Sequence, residues 1–112
     1  MIGVDIVKIS RIERIYKRFG EKFLEKIFTI QEINDIKKIT NYKRKVEKIA
    51  GRFAAKEAIL KIFKKELTFN NIEILTDSYG APFCKIADNH INISISHDGE
   101  YTVAVAQILS YK

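Results

Sequence analysis

The sequence predicts an α+β fold in which a mainly antiparallel sheet packs against one long central helix. Three observations carry that prediction. Up to Lys65 most apolar residues recur at helical spacing, from Ile72 onward they alternate, and one short β-branched stretch, Ile2 to Val7, precedes the helices. At 112 residues the chain reads as one domain spanning 1–112, which buries only about two-thirds of its unfolded surface. Oligomerisation would help it. The apolar content of 46% is ordinary for a globular protein and argues against disorder or a membrane span. Met1 to Val7 is too short for a signal-peptide core, and Lys8 closes it, so a cytosolic location is expected. The single cysteine, Cys84, fits a reducing compartment and cannot form an internal disulfide. A formal charge of +6 predicts an acidic partner, whether nucleic acid, a phosphorylated ligand or an acidic protein.

Ile2 to Val7 reads as a strand with a carboxylate, Asp5, at its middle. An ionised Asp among apolar neighbours is costly, so Asp5 either accepts backbone N–H bonds, faces water or holds a hard metal ion. Ser10-Arg11-Ile12-Glu13 matches a capping box with Ser10 as N-cap, starting a helix that ends near Phe19 with Gly20 as its stop. Ile12, Ile15, Tyr16 and Phe19 form one face of it, and Arg11, Arg14, Lys17 and Arg18 the other. No acid is expected on the basic face, which is either solvated or docks an acidic partner. Glu21 to Ile27 and Gln31 to Lys38 read as short helices, with Thr29 and Glu32 forming a second capping-box pattern. Residues 40–47 are polar and basic, either a loop or the first turns of the central helix.

That helix, Ile49 to Phe63, carries unusual charge. At roughly 100° per residue, Ile49, Phe53, Ile59, Leu60 and Phe63 share an apolar arc that Ala55, Ala58 and Ile62 widen. Arg52 and Lys56 fall inside the arc. Glu57 and Lys61 lie on a separate strip beside the small residues Ala50 and Ala54, where something can approach. Either Arg52 and Lys56 snorkel to water and Glu57 and Lys61 form a solvated pair worth about 0.2–0.5 kcal/mol, or the buried charge must find partners.

Downstream, Ile72 to Thr76 reads as a strand, Asp77 to Gly80 as a turn, and Ala81 to Ile86 as a second extended piece whose Pro82 marks an edge or a strand start. Ile91, Ile93 and Ile95 alternate with Asn92, Ser94 and Ser96 in a half-buried strand ending at His97-Asp98-Gly99, where Asp98-Gly99 signals a hairpin. Tyr101 to Ile108 is the returning strand. His97 is therefore either a surface turn residue or a group that contacts phosphate when charged and accepts a proton when neutral. The sequence has no Gly-rich phosphate loop, zinc-spaced His/Cys cluster, Gly-x-Ser-x-Gly or dinucleotide fingerprint, so phosphate handling must use other parts.

Gly3-Val4-Asp5-Ile6-Val7, Arg52-Phe53-Ala54-Ala55-Lys56-Glu57-Ala58 with Lys61, Gly80-Ala81-Pro82 and Ile93-Ser94-Ile95-Ser96-His97-Asp98 together resemble the holo-acyl-carrier-protein synthases, the short-chain branch of the 4′-phosphopantetheinyl transferases. The motifs span nearly the whole chain in the right order; residues 20–48 match only in general character. The resemblance implies transfer of the phosphopantetheine arm of coenzyme A to a serine of acyl carrier protein, with release of adenosine 3′,5′-bisphosphate, in the service of fatty acid biosynthesis. It implies that Asp5 and Glu57 hold Mg²⁺, with Asp98 a candidate third contact. Lys61 would pair with the diphosphate, Arg52 and His97 would contact the nucleotide's phosphates, and Gly80 and Pro82 would wall the adenine and ribose. The serine proton would go to Glu57 through a metal-bound water, or to His97. Arg14 and Arg18, with Arg11 and Lys17 at the rim, would dock the acidic carrier protein. A homotrimer with the active site between subunits is also implied. Two rivals use the basic helix alone, a small nucleic-acid-binding protein and a non-catalytic adaptor for an acidic protein, and both leave Asp5, Glu57 and His97 idle.

Overall fold

The computed structural model describes residues 1–64 and 67–109. Strand β1 (Ile2–Lys8) is followed by helices α1 (Ile9–Phe19), α2 (Glu21–Ile27), α3 (Ile30–Lys37) and α4 (Tyr42–Phe63). After a 3-10 turn at Phe69–Asn71 come β2 (Leu75–Thr76), β3 (Pro82–Ile86), β4 (Asn89–Asp98) and β5 (Tyr101–Gln107). The five strands form one antiparallel sheet in the order β1-β5-β4-β3-β2. β1 and β2 are thus opposite edges, four inter-strand spacings or about 19 Å apart. The α+β architecture expected from the sequence is the one observed.

α4 lies on the inner face of β1 and β5. The approach is close because small residues line it: Gly3, Ala104 and Ala106 on the strands, and Ala50, Ala54, Ala55 and Ala58 on the helix, all buried. The opposite face of the sheet has no layer over it among the described residues. On β1 it presents Ile2, Val4 and Ile6, which are 67%, 52% and 61% exposed.

Several local expectations are corrected. Ser10 does not cap α1: β1 runs directly into the helix, Lys8 holds the cap position without a side-chain bond, and the Ile9 N–H donates instead to the Glu100 carbonyl, 2.7 Å away in the neighbouring hairpin. Tertiary pairing supplies what the local motif would have. The expected stop at Gly20 is present, with φ at +56° and its N–H donating to the Tyr16 carbonyl. Residues 42–47 are helix, capped by the Asn41 side chain, which accepts from the Arg44 N–H. The strand expected over Ile72 to Thr76 shrinks to Leu75–Thr76, because the Ile74 N–H donates to the Glu32 carboxylate rather than to a neighbouring strand.

Lys56 does not snorkel. Its side chain is fully buried, and its ammonium donates to the Glu32 carboxylate at 2.5 Å, the Ile27 carbonyl at 2.8 Å and the Phe69 carbonyl at 3.1 Å, using all three protons. Burial pulls its pKa below the usual lysine value, with Glu32 pulling the other way. Glu32, besides forming the expected capping box with Thr29, thereby becomes the buried counter-charge the central helix requires. Thr29 in turn donates to Glu73 at 2.6 Å. One ammonium therefore ties the ends of α2 and α3, the 3-10 turn and the approach to β2 onto α4.

Candidate active site

Residues Asp5, Glu57 and Lys61 come together where β1 crosses the C-terminal half of α4. Asp5 alternates inward on β1, paired across the ladder with Ala104, and its side chain is mostly buried. Glu57 and Lys61 do not form the solvated i, i+4 pair that was one of the two alternatives read from the sequence. Lys61 reaches across to β1 instead, donating to the Val4 carbonyl at 2.8 Å and to Asp5 Oδ1 at 3.1 Å. The backbone carbonyl of an edge strand and a mostly buried carboxylate together outcompete the single carboxylate of Glu57. Burial first, and the nearby Asp5 carboxylate second, push the pKa of Glu57 above its ordinary value, while Lys61 and Arg11 oppose the shift. Arg11 stands near because α1 follows β1 without a loop. Two carboxylates of like charge, one cation bonded between strand and helix and a second cation nearby make a site suited to a hard divalent ion and a phosphorylated substrate.

The remaining nucleotide-binding candidates lie elsewhere. Arg52 is roughly 140° around α4 from Glu57 and lines a crevice with Asp35, Lys48 and Thr76. Burial lowers its pKa while Glu32 and Asp35 raise it. Thr76 pairs with Pro82, and Gly80 sits at the tip of the β2–β3 hairpin with φ at +84°, so Arg52, Gly80 and Pro82 gather at the β2 edge of the sheet. The turn is held by Asp77, whose carboxylate accepts from the N–H groups of Tyr79 and Ala81, both at 2.9 Å. His97 stands at the far end of β4, its Nε2 3.5 Å from Glu47 of α4. Asp98 falls on the outer face, paired with Tyr101 across a hairpin whose two loop residues are Gly99 and Glu100. Within one copy of the chain, His97 and Asp98 do not join Asp5 and Glu57.

On α1, Arg11, Arg14, Lys17 and Arg18 are all exposed. The expectation of an acid-free face is corrected at Lys17, which pairs with Glu13 at 3.6 Å and lies 5.8 Å from the centre of the Tyr42 ring. Beside this face Ile15, Phe19 and Phe23, with Lys22 and Lys26, line a cleft of about 430 Å³. The sequence reading missed it because it forms only when α2 folds back at Gly20. It also missed Lys43 and Arg44 in the first turn of α4, where cations oppose the helix dipole by about 0.3–1 kcal/mol each unless an anion sits there. The absence of any acid in that turn was the available signal. Cys84 is buried, and its thiol is pushed up to about 12 by that burial.

Comparison with known proteins agrees with this geometry. Residues 1–106 match the sequence model of the 4′-phosphopantetheinyl transferase superfamily. The holo-acyl-carrier-protein synthase of Thermodesulfovibrio yellowstonii is 44% identical, covering 96% of each chain, and that of Campylobacter hominis is 41% identical, covering 93% of each. The holo-acyl-carrier-protein synthase of Helicobacter pylori, solved in complex with coenzyme A, superposes with a TM-score of 0.83 at 38% identity, over 96% of this chain and 99% of that one. The Bacillus anthracis synthase, solved with coenzyme A (3′,5′-ADP), gives 0.84 at 38% identity, over 96% and 93%. An antiparallel sheet carrying Asp5 against a helix carrying Glu57 and Lys61, matched along almost its whole length, means that the chain belongs to the 4′-phosphopantetheinyl transferase superfamily, among the holo-acyl-carrier-protein synthases.

Proposed function

We propose that this chain, as one domain over residues 1–112, transfers the 4′-phosphopantetheine group of coenzyme A to a serine of apo-acyl carrier protein, giving the holo form and adenosine 3′,5′-bisphosphate. The observation that carries the reading is the cluster of Asp5, Glu57 and Lys61 at the β1–α4 crossing, in a fold shared with coenzyme A-bound synthases. The reaction would serve fatty acid biosynthesis in the cytosol; among the described residues no helix is long and apolar enough to cross a membrane.

Asp5 and Glu57 suit Mg²⁺, which takes one or two protein carboxylates and fills its sphere with waters and substrate phosphates. Repulsion from Asp5, which adds to burial in raising the pKa of Glu57, is what such a cation would relieve. Bound there, Mg²⁺ would draw charge from the diphosphate oxygens. The serine oxygen bonds to the β-phosphorus as the bond from that phosphorus to the bridging oxygen breaks, and the nucleotide leaves with the electron pair. The serine proton goes to Glu57 by way of a water, or to His97 from a neighbouring copy. Lys61 has three protons and two acceptors in place, leaving one for the diphosphate.

The nucleotide is held by Arg52, His97, Gly80 and Pro82. Within one copy, Gly80 and Pro82 lie at the β2 edge of the sheet and Asp5 on β1 at the opposite edge. A second copy therefore completes the site, in a homotrimer whose contact uses the uncovered apolar face of β1. Arg11, Arg14, Lys17 and Arg18 meet the acidic carrier protein next to Glu57, with the Phe19–Phe23 cleft taking apolar contacts.

Intact-mass measurement of an apo-acyl carrier protein incubated with this chain, coenzyme A and Mg²⁺ tests the reading. The expected result is one serine-linked phosphopantetheine, lost with chelator and with Asp5→Ala. No gain from a folded protein that binds neither coenzyme A nor carrier protein would overturn it.

A further inference from the structure

We propose that Gly3 is the positioning residue that sets the gap between the Asp5 and Glu57 carboxylates. Gly3 lies two residues before Asp5 on β1 and points to the same face. It is buried against Ala58, the residue after Glu57 on α4. A Cβ built on Gly3 would overlap the Ala58 carbonyl oxygen and stand 3.2 Å from Cγ1 of Ile62. Gly3 is not among the glycines with positive φ, which are Gly20, Gly80 and Gly99. Space, and not backbone conformation, is what this position demands.

The obstacle is backbone of a regular helix and cannot rotate away as a side-chain tip would. β1 is paired with β5 through all seven of its residues, from Ile2↔Gln107 to Lys8↔Tyr101, so it cannot bow outward alone. A methyl at Gly3 would force the β1–β5 pair and α4 apart by about 1 Å or more to restore ordinary contact. Asp5 and Glu57 ride on the two elements being separated. Lys61, bonded to Val4 and Asp5, is the second tie across the same seam. At Gly51 on α4 a Cβ would meet only side-chain atoms of β4 and β5, Cγ2 of Ile95 at 3.1 Å and Oγ1 of Thr102 at 3.8 Å, and nothing of β1, so the same substitution there leaves β1 where it is.

This inference rests on the proposed role of Asp5 and Glu57 as metal ligands, and its test separates the two. Binding of Mn²⁺ alone to the full-length protein is followed by water-proton relaxation, without coenzyme A or turnover. Asp5→Ala should abolish binding; unchanged binding would overturn the metal reading and the inference with it. With that control in place, Gly3→Ala should weaken Mn²⁺ binding about 10–100-fold, while Gly51→Ala leaves it unchanged. Asp5→Glu, one methylene longer, should weaken binding in the natural chain yet recover several-fold of the loss in Gly3→Ala, where the gap has widened. A folded Gly3→Ala protein that binds Mn²⁺ as tightly as the natural chain would overturn the proposal, as would failure of Asp5→Glu to recover any of the loss. If Gly3→Ala does not fold, Asp5→Glu and Glu57→Asp in the natural chain carry the test: a gap held fixed by Gly3 makes both bind at least about tenfold more weakly, and undiminished binding by either refutes it.

Discussion

Removing the carboxylate of Glu32 should destabilise the fold more than any surface substitution, because it strands a fully buried ammonium. In Glu32→Ala the Lys56 Nζ keeps its bonds to the Ile27 and Phe69 carbonyls but loses its buried counter-charge, and the N–H groups of Thr29 and Ile74 lose their acceptors. Breaking such a buried pair from one side costs about 3–5 kcal/mol. At about 4 °C per kcal/mol for a domain of this size, the melting temperature should fall by about 12–20 °C. Lys56→Met should cost a similar amount, since it strands the carboxylate and two carbonyls. The double variant Glu32→Leu/Lys56→Met removes both charges and leaves only backbone groups unpaired, each worth about 1–3 kcal/mol. Because neither charge is left stranded, its loss should fall short of the summed losses of the Glu32→Leu and Lys56→Met singles by about 0.5–3 kcal/mol. Urea unfolding followed by circular dichroism at one fixed protomer concentration measures this, with an unchanged m-value as the check that only stability moved. A loss below about 1 kcal/mol in Glu32→Ala, or a double variant equal to the sum of the singles, would refute the reasoning.

Two further outcomes follow from the site. Glu57 has its pKa raised in the folded state, so the native state holds the proton more tightly than the unfolded one, and stability falls as pH rises from the unfolded toward the folded pKa. Metal-free Glu57→Gln should therefore melt higher than the natural chain at pH 7 and lose that advantage near pH 4, where both states are protonated; equal melting at both pH values would contradict the electrostatics. Arg14→Glu with Arg18→Glu should raise the KM for carrier protein by about tenfold or more at low salt, less at high salt, and leave coenzyme A affinity within about twofold by calorimetry. Equal losses toward both ligands would show that the two arginines do not act by docking.

Sequence periodicity reached β4 and the basic helix because each has one dominant face, while β1 and the central helix were legible from their β-branched and apolar content. It reached Asp5 and Glu57 through their cost, since a carboxylate in an apolar strand or beside small helical residues needs a reason. What stayed hidden depends on contacts distant in sequence. The bond from Ile9 to Glu100 replaces a local cap over ninety positions away, and the Ile74 bond to Glu32 shortens β2. Lys61 chooses Asp5 over Glu57 only because β1 lies against α4. The periodicity of α4 marked Lys56 as misplaced, but its partner lies on another helix, where a capping-box glutamate gave no sign of a second duty. The resemblance assigned Arg52, His97, Gly80 and Pro82 to the nucleotide, and the separation of Arg52, Gly80 and Pro82 from Asp5 became visible only when β1 and β2 proved to be opposite edges of one sheet.

The proposed division of the site between copies of a trimer makes a prediction that a self-contained site does not. Asp5→Ala subunits lack the metal half, and Arg52→Ala/His97→Ala subunits lack the nucleotide half. Each protein alone should be inactive. Co-refolded in equal amounts, random trimers place an intact metal half beside an intact nucleotide half at about a quarter of the interfaces, so the mixture should regain about a quarter of the natural rate of phosphopantetheine transfer. A mixture as inactive as its parents, despite forming mixed trimers, would mean that each copy builds its site alone.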